Sequence, residues 1–242
     1  VQRNCASGME AVVTGALRIQ AGLADTVLVG GTESMTRYPL MFPEAAKGPF
    51  ERLGRARSLG ASLSALGAFR PRHFKPRIAI MEGLTDPTCG EIMGLTAERL
   101  AREFAITRAE QDEFALASHL RAAGAREALA AEILPIAGSK GWVGEDNGVR
   151  EEQSIEALAK LRPVFDRKHG SVTVGNSCQV TDGACVLLLA REGAVADEDV
   201  QGQLRSFAVR SLEPERMGLG PAFALPAACD EAGAASSDLR VV

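Results

Sequence analysis

The sequence has no apolar run approaching the roughly 20 residues that a membrane span needs, and no leader with a charged start and an apolar middle. A cytoplasmic location follows as the expectation. Basic excess is missing as well: 27 Lys and Arg face 31 Asp and Glu, a formal net charge of -4. That balance gives no electrostatic footprint for nucleic acid, whose binding usually needs a basic domain face. The five cysteines, Cys5, Cys89, Cys178, Cys185 and Cys229, form no CxxC pair, and none of the three histidines, His73, His119 and His169, lies within a few residues of one. Disulfides and structural zinc are both disfavoured, and no metal is assigned.

What is present is a soluble-type composition, 46% hydrophobic and 24% charged over 242 residues, enough for a sizeable core in one or two domains. Helical and strand patterns alternate. Apolar residues at Met9, Val12, Val13, Ala16 and Leu17 follow helical spacing, and Gly22 closes the helix. The run DTVLVGG (25–31) is short, β-branched and apolar on both faces, as in a strand covered on two sides. TRAE (107–110) is a capping box opening a helix through Phe114, Leu116, His119 and Leu120. Strands are expected at 171–174, 184–190, 204–209 and 238–242, and a helix at 222–232. The alternation predicts an α/β fold.

Two stretches break the rhythm. Between 36 and 92 there is little periodicity and much Gly, Pro and Arg, too long a stretch for a passive connection. Within it Arg52, Arg55, Arg57, Arg70, Arg72, Lys75 and Arg77 face only Glu51 as counter-charge between 50 and 77. That segment reads either as a solvated excursion or as a cationic surface for an anionic ligand, a partner subunit or a membrane. The second stretch, 138–148, carries the only Trp and nothing catalytic.

Cys5 stands where the first helical pattern begins. Unpaired N–H groups and the positive end of a helix dipole favour thiolate over thiol there, and Ala6, Ser7 and Gly8 leave room for a bulky acyl group at the sulfur. A nucleophile is one reading. A buried structural thiol is the other, because free cysteine is among the most buried residue types.

Six segments, in order, carry a resemblance. VQRNCASGMEA (1–11) resembles the active-site segment of the thiolases; GGTESM (30–35), MGLTAE (93–98), LRPVF (161–165), VTVGNSCQVTDGA (172–184) and MGLGP (217–221) resemble further thiolase segments. The resemblance implies a thiolase-like αβαβα layered fold with a large loop domain. It divides the chain into residues 1–35 with 179–192 from the N-terminal half, 36–178 as the CoA-binding loop domain, and 193–242 as the start of the C-terminal half. It implies an acetyl-CoA C-acyltransferase or acetyltransferase. Such an enzyme cleaves 3-ketoacyl-CoA with CoA, or condenses two acetyl-CoA, through an acyl-cysteine at Cys5. No cofactor is bound permanently; coenzyme A and acetyl-CoA are substrates.

By the same carry-over Met93, Phe165, Val174 and Cys178 line the pantetheine tunnel, and Arg150 lies near the adenine and phosphates. Each could instead be core or plain surface. Cys178 stands where the family usually has serine, and Gln2 where it usually has asparagine. A homodimer or homotetramer, joined through the strand near Thr26 to Gly30, is the expected assembly. The family's Asn-Glu-Ala-Phe, Gly-His-Pro and Cys-x-Gly-Gly-Gly segments, which supply base and oxyanion hole, are absent from these residues. The expectation is therefore the middle of a thiolase, inactive and aggregation-prone if it stands alone. The alternatives are a non-catalytic CoA or acyl-CoA binding module and, within enzymes, a ketoacyl synthase, against which the MGLTAE and GNSC matches argue.

Overall fold

The computed structural model describes residues 1–139 and 141–240. In chain order these form α1 (Ser7–Gln20), β1 (Thr26–Ser34), β2 (Leu40–Met41), α2 (Lys47–Arg55), α3 (Leu59–Gly67), β3 (Arg77–Ile78), α4 (Ala79–Gly83), α5 (Met93–Glu103), α6 (Arg108–Gly124) and α7 (Arg126–Glu132). Then come β4 (Ile136–Gly138), β5 (Gly141–Val143), α8 (Ile155–Ala159), β6 (Asp182–Ala190) and α9 (Gly220–Ala232). Packing divides the chain into two compact units. The first takes Val1–Asp86, Val180–Arg210 and Ala222–Val242; the second takes Pro87–Gln179 and Ser211–Pro221. Residues 36–86, which the sequence reading joined to 87–178, thus pack within the first unit.

The first unit is organised by one antiparallel ladder, in which β1 and β6 pair from Thr26 opposite Ala190 to Ser34 opposite Asp182. Helix α1 lies on one face of it. The helical spacing was expected to bury Met9 and Leu17, yet these are 71% and 47% exposed, and Gly15 is the buried residue instead. A Cβ at Gly15 would stand 2.6 Å from Val29 Cγ1 and 3.0 Å from Leu189 Cδ1, so the missing side chain is what lets the helix approach the strands. The strand's two faces also differ from expectation. Val29 lies beneath α1, while the cross-strand pair Leu28 and Leu188 on the opposite face is 70% and 62% exposed. Among the described residues only one face of this ladder is covered.

Residues 36–86 are less irregular than their composition suggests. Phe42, Phe50, Phe69 and Phe74 gather with successive ring centroids 4.8, 4.9 and 5.4 Å apart, and His73, 4% exposed, packs edge-on to Phe69. Strands β2 and β3 pair across the base of this segment. Ser58 caps α3 by accepting from the Ala61 N–H.

In the second unit the capping box at the start of α6 forms as expected. The Thr107 hydroxyl accepts from the Glu110 N–H, and the Glu110 carboxylate accepts from the Thr107 N–H at 2.7 Å. That bond and the Thr107 hydroxyl hold Glu110 below its usual range. Residues 171–174 form no strand: the Ser171 and Val172 amides bond the Glu98 carboxylate, leaving no donors for a ladder there. Residues 204–209 form no strand either. Of the expected final strand, Asp238 ends a short turn and 241–242 lie outside the described residues. Lys140, within the Gly-rich stretch 138–148, also lies outside them; its neighbours form the β4–β5 hairpin, with Trp142 77% exposed.

Candidate functional site

Cys5 sits two residues ahead of α1, at the tip of a tight turn. Asn4 adopts φ 47°, the left-handed region that asparagine tolerates better than most residues. The Ala6 N–H then donates to the Arg3 carbonyl at 3.0 Å and the Ser7 N–H to the Asn4 carbonyl at 3.1 Å. Ser7 ties the approach to the turn: its hydroxyl accepts from the Arg3 N–H at 2.7 Å and lies 2.7 Å from Gln2 Oε1. Arg3 in turn reaches Glu10 at 2.8 Å. The Cys5 thiol is left exposed, ahead of a helix whose first N–H groups lack intrahelical acceptors. Close packing keeps this region slim, since a Cβ at Gly31 would lie 3.2 Å from the Gly8 Cα.

The remaining candidates all fall in the second unit. At the start of α5, Met93 is followed by Gly94, whose backbone lies under the Phe165 ring: an added Cβ would sit 2.2 Å from three ring atoms. Val174 and Cys178 share the loop 171–178. Val174 is 70% exposed while Val172 and Thr173 beside it are buried, so the loop turns its backbone inward and offers an apolar side chain to solvent. Cys178 is exposed. The neighbouring Ser177 does not stand in for the serine expected at that position, because its hydroxyl donates to the Thr173 carbonyl at 2.7 Å. Arg150 belongs to a segment that meets the end of this loop, since a Cβ at Gly148 would collide with the Gln179 amide. Its backbone is pinned by His119, whose Nδ1 accepts from the Arg150 N–H at 3.2 Å. His119 is therefore a half-buried anchor.

Sequence reasoning missed the groups beneath this loop. Glu98 is 1% exposed and Asp112 3%. Asp112 Oδ1 accepts from Asn176 Nδ2 at 3.0 Å and Oδ2 from Arg108 Nε at 2.6 Å, and Arg108 continues to the Leu158 and Leu161 carbonyls. Asn176 closes the loop on itself, accepting from the Thr173 N–H at 2.7 Å and donating to the Ser171 carbonyl at 3.1 Å. A signal did exist: Gly94 and Glu98, four apart, share one helix face, and a carboxylate on the face that a glycine brings into close contact is out of place unless donors meet it.

Residues 1–193 match the family model described as thiolase, N-terminal domain. The chain belongs to the thiolase family. It is 36% identical over 249 residues to a 3-ketoacyl-CoA thiolase of Pectobacterium atrosepticum, covering all of this chain and 56% of that relative. The chain thus spans little more than half the length of the curated relatives it matches. In structure it is similar to the Bacillus anthracis acetyl-CoA acetyltransferase, with TM-score 0.80, 31% identity, and all of this chain aligned to 58% of that one. It is also similar to human mitochondrial 3-ketoacyl-CoA thiolase in complex with CoA, with TM-score 0.76, 30% identity and 57% of that chain. The thiolase fold expected from the six ordered segments is what the chain adopts.

Proposed function

We propose that Cys5 is the nucleophile of a thiolase that exchanges acyl groups between 3-ketoacyl-CoA and CoA. The observation that carries the reading is the exposed thiol at the tip of the left-handed Asn4 turn, held ahead of α1 by Ser7. In the first step the Cys5 sulfur adds to the keto carbonyl and the bond between the carbonyl carbon and its α-carbon breaks. Acetyl-CoA leaves as the enolate and takes up a proton. In the second step the sulfur of a second CoA attacks the acyl-Cys5 thioester, its proton leaves, and the Cys5 thiolate departs; condensation is the reverse. Met93, Phe165, Val174, Cys178 and Arg150 belong to the CoA-holding surface, within the 87–178 part of the proposed loop domain. The names of the relatives support this substrate class.

None of the chain's histidines is assigned to the proton transfers. His73 is buried, with Nδ1 accepting from the Arg70 N–H; His119 holds Arg150; His169 lies in the turn that the Asp166 carboxylate caps. A cytoplasmic location and a homodimer or homotetramer joined through the strand near Thr26 to Gly30 belong to the same reading. So does a role for the Arg-rich segment in meeting a partner subunit or a membrane. There Leu59, Leu63 and Leu66 are 86%, 68% and 51% exposed along α3, and Arg52, Arg57, Arg72 and Lys75 are exposed around the same stretch. No described helix is long and apolar enough to cross a membrane.

Intact-mass measurement after incubation with acetoacetyl-CoA, beside a Cys5→Ala variant, tests the proposal. An acetyl adduct that Cys5→Ala loses is the expected result. CoA binding without any adduct favours the non-catalytic CoA-binding module; an adduct that survives Cys5→Ala sinks the assignment of the nucleophile.

A further inference from the structure

We infer that Glu98 is a positioning residue for CoA, a buried carboxylate that shapes the 171–178 loop from beneath. The inference rests on the reading of that loop as CoA-holding. Glu98 is 1% exposed and, among the described residues, no Lys, Arg or His forms an ion pair with it. Its partners are neutral donors of a single short stretch. The Ser171 N–H lies 3.0 and 2.9 Å from its two oxygens, the Val172 N–H 2.9 Å from Oε1, and the Ser171 hydroxyl 3.3 Å from Oε2. A buried carboxylate without a counter-ion is costly, and charge-assisted bonds from N–H groups are what offset that cost. An apolar side chain would fill the same space without the desolvation penalty. It would also leave the Ser171 and Val172 amides unpaired in the interior, which is why a carboxylate is the residue that fits.

The bonds dictate geometry. Two consecutive amides turned toward one carboxylate cannot join a strand ladder, and the chain instead bends over Glu98. Gly170 makes the bend possible, since a Cβ there would stand 2.3 Å from Glu98 Oε1 and 2.5 Å from the Asp166 carbonyl. With 171 and 172 facing inward and Thr173 fully buried, Val174 is turned outward. Asn176, bridging Asp112 and the Thr173 amide, holds the far side of the same bend. Glu98 also sits one helical turn beyond Gly94, on which the Phe165 ring lies. One helix, α5, therefore backs both apolar candidates: Phe165 through Gly94, and the loop that carries Val174 through Glu98. A ligand chain resting on this loop is sensitive to small changes at Glu98 without touching it.

The test is CoA binding by calorimetry on the full polypeptide, comparing the unsubstituted protein with Glu98→Gln and Glu98→Asp. Glu98→Gln turns an amide donor toward amide donors. It is expected to weaken CoA about ten- to hundredfold, while the rate of Cys5 alkylation by iodoacetamide stays unchanged; Glu98→Asp, which keeps the carboxylate, recovers part of the affinity. A folded Glu98→Gln variant that binds CoA as well as the unsubstituted protein overturns the inference alone. Failure of the unsubstituted protein to bind CoA overturns the functional reading and this inference together. Should Glu98→Gln fail to fold, amide exchange in the unsubstituted, CoA-free protein decides. Slow exchange at Ser171 and Val172 supports the clamp, and exchange as fast as in the exposed 145–147 stretch overturns it.

Discussion

The two compact units are held by different chemistry. Buried side chains of the first are mostly apolar and small, Val29, Ala46, Ala65 and Cys229, with His73 as its buried polar group; those of the second are Leu158 and Val172 together with Thr96, Glu98, Asp112 and Thr173. Apolar contact is non-directional and tolerates sliding, whereas a carboxylate bonded to two amides fixes where a chain segment lies. The first unit holds the Cys5 thiol on an exposed turn, which one helix on one ladder can supply. The second must hold a loop in a shape that no regular element provides, and it does so with buried polar bonds. The difference tells us where precision is located: in the second unit it lies below the surface, away from the residues proposed to touch a ligand.

The contrast can be broken first at Asp112. Asp112→Ala leaves the half-buried Arg108 with only the Leu158 and Leu161 carbonyls and no counter-charge, and removes one of the three bonds of Asn176; removing one member of a buried pair destabilises by about 3–5 kcal/mol. Denaturant titration should show that loss, and amide exchange should confine it to the second unit. The reciprocal change is Gly15→Val, which drives a branched side chain into Val29 at the α1–β1 contact. Overpacking there should destabilise by about 1–3 kcal/mol, with exchange rising in β1 and β6 while 171–178 stays protected. Equal spreading of either effect through both units would erase the contrast.

The smallest effect is at the mouth of the ladder, where Asp182 accepts from the Thr36 hydroxyl and, at 2.9 Å, from the Thr36 N–H. These bonds, the hydroxyl first, hold the Asp182 carboxyl below its usual range. A group with a lowered folded-state pKa stabilises above its unfolded value and loses that contribution as pH falls through the folded value. Thr36→Val should therefore be slightly less stable than the unsubstituted protein at neutral pH. The gap should close only below the ordinary aspartate range, about pH 4, as read from urea midpoints across pH. A gap that stays constant into strong acid would remove Asp182 from the account.

Much of this was legible in the sequence where local chemistry decides the outcome. The TRAE capping box states its own hydrogen bonds, Gly22 at φ 68° ends α1 region as a glycine in that conformation should, and the apolar run at 184–190 pairs with β1. The reading failed where partners come from far along the chain. Residues 171–174 have strand composition, yet a carboxylate more than 70 positions earlier takes their amides. The α1 face was misjudged because hydropathy scores Met9 and Leu17 highly and Gly15 not at all, although the closest contact belongs to the residue with no side chain. At the site, Cys5 and its small neighbours were visible as a pattern. Asp112 and Asn176 were not, because their partners lie far along the chain, and Glu98 showed only through its i, i+4 spacing from Gly94.

The ladder between β1 and β6 has a consequence for how the chain is made. Thr36 and Asp182, bonded at its open end, are 146 residues apart in sequence. At about 5–20 residues per second on the ribosome, β1 waits roughly 7–30 seconds for its partner to emerge. Throughout that interval its backbone donors have no β6 to meet. The intervening segments can fold first and draw the two ends together, which shortens the effective loop that must close. The speed of translation through the intervening residues thus sets how long the nascent β1 goes without β6.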